Sequence, residues 1–315
     1  MIFLIRRGLF FLLPVLLAGC NTVVLNPAGD VAAQQGHLIV VSTLLMLLII
    51  VPVIVLIILF AWRYRKSNTA AKYEPDWDHS TQLELVIWGA PLLIIIALGL
   101  LTWISTHVLD PYRPLERLDA NRPIAAATKP LTVEVVALDW KWLFIYPEQG
   151  IATINELATP VDVPIRFKIT ASSIMNSFYI PALAGQIYAM PGMQTTLNAV
   201  LNRPGEFEGF SANYSGAGFS DMRFKYRGMQ TADFDRWVQS VKAKGTTLDR
   251  ELYLQLEKPS QREPVHLYGA VAPDLYHAIL NRCVADGTVC MDKMMAGDMH
   301  AAMGHDMSGH DMDHE

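Results

Sequence analysis

Two long runs of apolar residues near the N-terminus stand out in the pattern of hydrophobic and polar positions. Leu38–Trp62 and Leu85–Ser105 contain no charged side chain over 25 and 21 residues. At ~1.5 Å per residue, each run is long enough as a helix to cross the ~30 Å hydrocarbon core of a bilayer. These lengths disfavour the alternative of two buried helices in a soluble protein. The pattern therefore predicts transmembrane helices over 38–62 and 85–106.

After a linker over 107–130, the hydrophobic period shortens to that of β-strands. Apolar residues alternate with polar ones in short segments separated by Pro and Gly turns, which predicts an all-β sandwich or barrel over 131–228. Beyond Gly228 the period lengthens, and a helical region follows over 229–290. The predicted strands are Thr132–Tyr146, Ile151–Leu157, Pro164–Thr170, Ser177–Ile180, Gln186–Met190, Gln194–Asn202, Gly205–Tyr214 and Met222–Arg227. The predicted helices are Thr231–Lys244, Leu248–Leu256 and Pro273–Asn281.

The composition agrees with a membrane protein. Hydrophobic residues make up 52% and charged residues 17% of the chain, whereas soluble domains carry about 25% charged residues. Disorder over most of the chain is excluded by the same figures. The net charge is −5, and no basic stretch is interleaved with aromatic residues, so nothing supports nucleic-acid binding. Three cysteines are too few for a disulfide scaffold.

The first 19 residues have the form of a signal peptide. Arg6 and Arg7 precede an apolar stretch, and Leu-Ala-Gly then leads directly into Cys20. This ending resembles the lipobox of bacterial lipoproteins, in which a signal peptidase cuts before the cysteine and the cysteine thiol carries a lipid. We therefore expect Cys20 to be lipidated. An ordinary secretory signal or a short hydrophobic N-terminus is the alternative.

The distribution of Lys and Arg predicts the orientation in the membrane. Residues 20–37 contain neither, whereas the loop over 63–84 holds Arg63, Arg65, Lys66 and Lys72. Because basic loops remain in the cytoplasm, this loop is predicted to be cytoplasmic. The segment 20–37 and everything beyond Thr106 then lie on the outer side of a bacterial inner membrane.

The C-terminal region carries two further features. Cys283 and Cys290 lie close together in the chain, and an oxidising outer compartment would allow a disulfide between them. Residues 291–315 contain seven methionines and four histidines at irregular spacing. Low complexity predicts a disordered tail. Thioether and imidazole groups could bind copper there, but a solvated tail without a metal is favoured.

Three unusual stretches carry a resemblance to a known family. Asp139–Glu156, Ile174–Thr195 and Ala212–Lys225 resemble subunit II of the haem–copper terminal oxidases, and the similarity runs from about Cys20 to Asn281. The resemblance implies that the β-sandwich has a cupredoxin-like fold. The strings are most similar to the quinol-oxidising, cytochrome bo-type branch of this family.

The copper-binding branch of that family holds a dinuclear copper centre in this domain. Its ligands are an upstream His and a loop of the form C-x-E-x-C-x-x-x-H-x-x-M, because soft thiolates and imidazoles suit copper. Aligned on these positions, the present chain has Asn176, Ser211, Asn213, Ser215, Phe219 and Met222. Serine hydroxyls stay protonated near neutral pH, and a lone thioether cannot hold the metal. The resemblance therefore implies no metal and no cofactor in this chain.

The resemblance also implies the partners and the function. The chain would be a structural and assembly subunit of a proton-pumping ubiquinol oxidase, with no catalytic residue of its own. The haems and one copper would lie in subunit I, subunits III and IV would complete the complex, and ubiquinol rather than cytochrome c would be oxidised. Trp140 and Trp142, electron-transfer residues in copper-binding relatives, become packing residues. Two rivals are a copper-bearing subunit that takes electrons from cytochrome c and a membrane-anchored copper-handling lipoprotein.

Glu84 is the residue assigned to proton chemistry. It lies at the cytoplasmic end of the second apolar run, where the family implies the mouth of a proton pathway. The alternative is a carboxylate that only stabilises the N-terminus of a helix through the macrodipole.

Overall fold

The structure is a computed structural model that describes residues 22–72, 74–125 and 127–296. The predicted signal peptide, Cys20 and most of the Met/His-rich tail, from Gly297 on, lie outside the described residues. The chain divides into two compact units. One comprises the residues from Gln34 to Asp110, and the other comprises the residues up to Ala33 together with those from Pro111 onwards.

The helical unit contains two long apolar helices, α1 (Asp30–Arg63) and α2 (Thr81–Val108). Both are long and apolar enough to cross a membrane. Both helices begin before the predicted transmembrane segments 38–62 and 85–106 and contain them. Helix α1 begins at Asp30 because the acidic side chain stabilises its first turn, and residues 30–37 are therefore helical. Helix α2 begins after Ser80, whose hydroxyl accepts the Leu83 N–H at 3.5 Å.

The described residues from Pro111 onwards form a sandwich of two β-sheets followed by short helices, and this part is called the outer domain after the location that the sequence predicts. Its strands are, in chain order, β1 (Arg117–Asp119), β2 (Arg122–Pro123), β3 (Leu131–Leu138), β4 (Lys141–Tyr146), β5 (Ile151–Ile154), β6 (Glu156–Pro160), β7 (Pro164–Ala171), β8 (Asn176–Tyr179), β9 (Ile187–Ala189), β10 (Thr195–Val200), β11 (Gly205–Ser211), β12 (Arg223–Met229), β13 (Thr247–Leu248), β14 (His266–Tyr268) and β15 (Ala270–Val271). The first sheet has the order β10-β7-β3-β4-β5-β14, and the second has the order β6-β12-β11-β8-β9.

Two predicted strands are each divided in the structure. The segment Thr132–Tyr146 was predicted as one strand, but β3 and β4 form an antiparallel hairpin in which Leu138 pairs with Lys141. Trp140 makes the turn with a φ of 67°, a conformation that is rare outside glycine. The segment Ile151–Leu157 is interrupted at Asn155, which has a φ of 55°. Its two halves, β5 and β6, belong to different sheets.

Alternating strand residues fill the interior of the sandwich. Val133 and Val135 point inward from β3 and are fully buried. They are joined by aromatic side chains from both sheets. The rings of Phe178 and Phe224 stack with their centroids 5.5 Å apart, an arrangement that adds to the stabilisation from buried area.

A second core covers the other face of the first sheet. Val136, Leu143 and Ile154 pack there against Leu275 and Ile279 of the C-terminal region. This region contains the helices α3 (Thr231–Lys242), α4 (Arg250–Leu256) and α5 (Leu275–Leu280), whose ends lie within two residues of the predicted ones. It is not purely helical, since β14 pairs with β5 and β13 pairs with β15.

The first residues of the predicted tail are also ordered. Residues 291–296 form a helical turn, whereas disorder was predicted from 291 on. The Met291 N–H donates to the Asn281 carbonyl oxygen at 3.0 Å. The Sγ atoms of Cys283 and Cys290 are joined in a disulfide, with the Cα atoms 4.8 Å apart. This cross-link places residue 291 beside the end of α5.

The predicted linker contains the β1–β2 hairpin, which is anchored to the sandwich. Arg122 donates to the carboxylates of Asp119 and Asp162 at 2.6 to 2.9 Å. The Arg122 guanidinium lowers the pKa of Asp162 below its usual value. Asp30, which is buried, receives two hydrogen bonds from Arg117 at 2.9 and 3.1 Å. The start of α1 is thereby tied to the same hairpin.

Candidate functional site

The loop between β11 and β12 and the start of β8 form the candidate site. Strands β8 and β11 are neighbours in the second sheet, with Ser211 paired to Phe178. This pairing brings Asn176 and Ser211 together although they are 35 residues apart in sequence. The base of the loop is closed by the Ser211 N–H, which donates to the Met222 carbonyl oxygen at 3.1 Å. The six aligned positions therefore lie on one structural unit.

The side chains of Ser211, Asn176 and Asn213 are hydrogen-bonded at the base of this loop, whereas that of Ser215 is not in the part of the chain that the structure describes. The Ser211 hydroxyl lies 3.1 Å from Asn176 Oδ1 and 3.2 Å from the Asn213 carbonyl oxygen, either of which can accept its proton. Asn213 Nδ2 donates to the Met175 carbonyl oxygen at 3.3 Å. Ser215 is buried, and its hydroxyl has no hydrogen-bond partner among the described residues.

Aromatic side chains close the loop from the sides. The Trp140 indole N–H donates to the Ser215 carbonyl oxygen at 2.9 Å. Its ring lies so close to Gly218 that a Cβ atom there would approach the ring to 2.5 Å. Phe219 contacts the exposed Tyr214, with the ring centroids 5.7 Å apart. Trp140 therefore holds the loop by packing and one hydrogen bond.

The donor atoms of the loop do not fit a dinuclear copper centre. They comprise serine hydroxyls, amide groups and the thioether of Met222, which is 1% exposed. Copper bridged as a pair requires thiolates and imidazoles, and Ser211 and Asn176 are already hydrogen-bonded to each other. Across residues 22–72, 74–125 and 127–296, no group of three or more His, Cys, Asp or Glu side chains could hold a metal ion.

Trp142 lies in the interior of the sandwich, one strand position beyond Lys141. Its ring makes edge-on contacts with Phe178 and Phe224 at centroid distances of 5.3 and 5.9 Å. The backbone N–H of Trp142 donates to Asn155 Oδ1 at 2.8 Å. Trp140 and Trp142 thus both serve as packing residues within the outer domain.

Glu84 lies in the first turn of α2, where the helix dipole favours a negative charge. Its Oε1 is 2.7 Å from His79 Nδ1, and its side chain is 46% exposed. His79 Nε2 lies 3.2 Å from the Thr81 hydroxyl. A carboxylate and an imidazole in contact can pass a proton between them. The predicted site residue is therefore half-exposed and has a titratable neighbour.

Sequence reasoning did not identify Lys141 as a site residue. Its side chain is almost completely buried, and its ammonium donates to the Lys258 carbonyl oxygen at 2.9 Å and to the Ser260 hydroxyl at 2.5 Å. Ser260 in turn donates to Glu263, which lies 2.8 Å from His266 Nε2. The only signal in the sequence was a lysine inside the apolar string that became β4.

Burial and hydrogen bonding shift the acid–base behaviour of this network. Burial lowers the pKa of the Lys141 ammonium, because the charged form loses solvation. The hydrogen bond from Ser260 lowers the pKa of the Glu263 carboxyl below its usual value. The network fastens residues 258–266 to β4, and β14 then extends the first sheet.

The fold and the loop together define a class of protein. It has two helices that are long and apolar enough to cross a membrane, followed by a β-sandwich whose loop over 211–222 carries serine, asparagine, phenylalanine and methionine side chains. Residues 146–227 match the family model described as cytochrome c oxidase subunit II, periplasmic domain. Residues 242–287 match the COX aromatic rich motif.

Relatives of this chain are named as quinol oxidase subunits. It is 51% identical over 278 residues to the cytochrome bo(3) ubiquinol oxidase subunit 2 of Pseudomonas putida, covering 87% of this chain and 86% of the relative. It is 51% identical over 266 residues to the ubiquinol oxidase subunit 2 of Acetobacter aceti, covering 84% of both. The chain belongs to the family of ubiquinol oxidase subunits 2, which are components of quinol oxidase complexes.

A solved structure is similar to part of the outer domain. It is the periplasmic domain of cytochrome oxidase subunit II of Bradyrhizobium japonicum, at 25% identity and a TM-score of 0.36, covering 39% of this chain and 97% of that chain. The structure itself and the match of residues 146–227 to the family model confirm the predicted fold class: two apolar N-terminal helices, then a β-sandwich with C-terminal helices. The two helices and the match to a periplasmic domain fit a subunit of the inner membrane.

Proposed function

We propose that this chain is a non-metal-binding structural and assembly subunit of a proton-pumping ubiquinol oxidase. The proposal depends on the loop over 211–222. In this loop Ser211 is hydrogen-bonded to Asn176, and Trp140 packs on the loop and donates to the Ser215 carbonyl oxygen. A dinuclear copper centre would need thiolates and imidazoles at these positions. Without such ligands the outer domain has no route for electrons from a soluble cytochrome c. Its role is then to support the partner that carries the redox centres.

The redox chemistry belongs to the partner subunits in this proposal. Subunit I would hold the haems and one copper and would oxidise ubiquinol, and subunits III and IV would complete the assembly. The names of the relatives support a ubiquinol oxidase. The outer domain offers subunit I a rigid cap, since both of its cores are closed by buried side chains.

Metal analysis of the purified complex tests the assignment. We expect copper confined to subunit I and no purple mixed-valence absorption from the outer domain. Ubiquinol should be oxidised rapidly and reduced c-type cytochrome should not. Two additional coppers per complex, or turnover on reduced cytochrome c, would contradict the proposal. Purification of the chain without any haem-containing multi-span partner would instead favour a copper-handling lipoprotein.

The topology forms the second part of the proposal. Helices α1 and α2 would span the membrane, the basic segment between them would face the cytoplasm, and the β-sandwich would be periplasmic. Cys20 would be lipidated and would anchor the mature N-terminus, since each buried methylene contributes about 0.8 kcal/mol. The mass of the N-terminal peptide of the mature protein tests the anchor, and an uncleaved or unmodified Cys20 would disprove it.

Glu84 forms the third part of the proposal. We assign it to the mouth of the proton pathway that leads to the oxygen-reducing centre. Its support is its place in the first turn of α2, its half-exposed carboxylate and its contact with His79. An exposed acid–base pair at the start of a membrane-spanning helix can collect protons from bulk water.

A further inference from the structure

Three cationic side chains lie within four residues at the C-terminal end of α1. They are Arg63, the last residue of the helix, and Arg65 and Lys66, which follow it directly. All three are solvent-exposed in the structure. Residues 62–72 contain no acidic side chain. A compact patch of uncompensated positive charge therefore adjoins a 34-residue apolar helix.

Aromatic neighbours hold the two guanidinium groups. The Arg65 Cζ atom lies 5.6 Å from the centroid of the Trp62 ring, and the Arg63 Cζ atom lies 5.9 Å from that of Tyr64. Both contacts are within the range of a cation–π interaction. Trp62 and Tyr64 are themselves 62% and 58% exposed. Exposed Trp and Tyr at the end of a membrane-spanning helix are typical of the lipid headgroup region.

The charges of this patch are not neutralised within the part of the chain that the structure describes. No ion pair to Arg63, Arg65 or Lys66 occurs there, whereas the next lysine along, Lys72, is paired with Glu74. Arg117 and Arg122 of the outer domain, by contrast, are each held by carboxylates. Among the described residues, the patch is thus a set of cationic hydrogen-bond donors without a carboxylate partner.

We propose that Arg63, Arg65 and Lys66 form a binding site for the phosphodiester headgroup of an anionic phospholipid, with Trp62 and Tyr64 against its glycerol and upper acyl region. A guanidinium donates two parallel hydrogen bonds to a phosphate, which an ammonium cannot do. Basic clusters beside a membrane helix are attracted to anionic leaflets. The proposal rests on α1 spanning a membrane and does not depend on the role of Glu84 or on the absence of copper.

Native mass spectrometry of the intact complex can test this site. The complex is titrated in detergent with phosphatidylglycerol, phosphatidylcholine or inorganic phosphate. The triple variant Arg63→Gln, Arg65→Gln, Lys66→Gln is compared with a matched triple variant on α3 and its C-terminal flank: Arg236→Gln, Lys242→Gln, Lys244→Gln. Both remove three exposed positive charges. A third variant, Arg63→Lys with Arg65→Lys, keeps the charge and removes the bidentate geometry.

We expect the wild-type complex to retain phosphatidylglycerol in preference to phosphatidylcholine, and the preference to weaken with salt. The triple variant near α1 should bind phosphatidylglycerol on the order of a hundredfold more weakly, the lysine variant should be intermediate, and the α3 variant should match the wild type. Inorganic phosphate should not compete, because it lacks the acyl chains. Equal retention of both lipids by the wild type would overturn the proposal without any variant. So would unchanged phosphatidylglycerol affinity in a correctly inserted triple variant, which would leave these charges only the role of orienting the helix.

Discussion

Replacing Glu84 with alanine is expected to slow oxygen reduction by the assembled complex by on the order of tenfold. The reason is the loss of an exposed acid–base group that collects protons at the start of α2, next to His79. Water can reach the same position, so turnover should fall without being abolished. The measurement is ubiquinol-dependent oxygen consumption by the purified complex at several pH values. Glu84→Asp should restore part of the rate.

A control variant separates this role from a general loss of negative charge. Glu74→Ala removes an exposed carboxylate from the same interhelical segment, where it is paired with Lys72, and should leave turnover unchanged. Both variants should assemble with their partner subunits and carry a full complement of haem. If Glu84→Ala turned over at the wild-type rate, the carboxylate would retain only its interaction with the helix dipole.

Replacing Lys141 with alanine should destabilise the outer domain by about 3–5 kcal/mol. The substitution leaves a cavity under β4 and removes the donor to the Lys258 carbonyl oxygen and the Ser260 hydroxyl. It also leaves Glu263, 4.0 Å from the ammonium, without its buried counter-charge. Chemical unfolding of the full chain in detergent, followed by tryptophan fluorescence, measures the loss.

Lys141→Met provides the matched control, since it keeps most of the volume and removes the charge and its hydrogen-bond donors. We expect a smaller loss, about 1–3 kcal/mol, from the unsatisfied acceptors. The dependence on pH gives a second test. The folded pKa of Lys141 lies below its ordinary value of about 10.4. At pH values between the lowered pKa of Lys141 in the folded chain and its ordinary pKa in the unfolded chain, the unfolded chain binds more protons than the folded one.

Lys141 should therefore add a contribution to the free energy of unfolding that rises with pH through that alkaline interval. Buried tyrosines whose pKa is raised by burial, such as Tyr146 and Tyr226, act in the opposite direction in all three proteins. The test is therefore the difference in free energy of unfolding between the wild type and Lys141→Met, which should grow with pH. An alanine variant as stable as the wild type, or a difference from the methionine variant that does not change with pH, would show that Lys141 is not the buried titrating group.

Much of the fold followed from periodicity. The two apolar runs became α1 and α2, and the three C-terminal helices were located to within two residues because their apolar positions recur at helical spacing. The hairpin inside Thr132–Tyr146 could not be anticipated, because its turn is made by Trp140 at a positive φ within a string that is otherwise typical of a strand. Strand β14 was hidden because His266–Tyr268 is too short to show a period.

The sequence predicted which residues occupy the candidate site, but it did not predict which contacts they make. The resemblance implied that serines, asparagines and phenylalanine occupy the positions of copper ligands. Only the folded chain shows that Ser211 is hydrogen-bonded to Asn176 and that Trp140 packs on Gly218. The partners of Lys141 lie more than a hundred residues away in sequence. Hydrophobic periodicity is a local property and does not indicate pairings over such distances.

The amino-acid sequence alone was sufficient for the succession of two long apolar helices, a β-sandwich and C-terminal helices, and for the identity of the side chains at the aligned loop positions. Each of these depends on local hydrophobicity or on the chemistry of single residues. The division of strands between two sheets, the closure of the loop by Trp140 and the buried network of Lys141 depended on the folded structure. These features arise from contacts between segments distant in the chain, where burial and hydrogen-bond satisfaction outweigh local conformational preference.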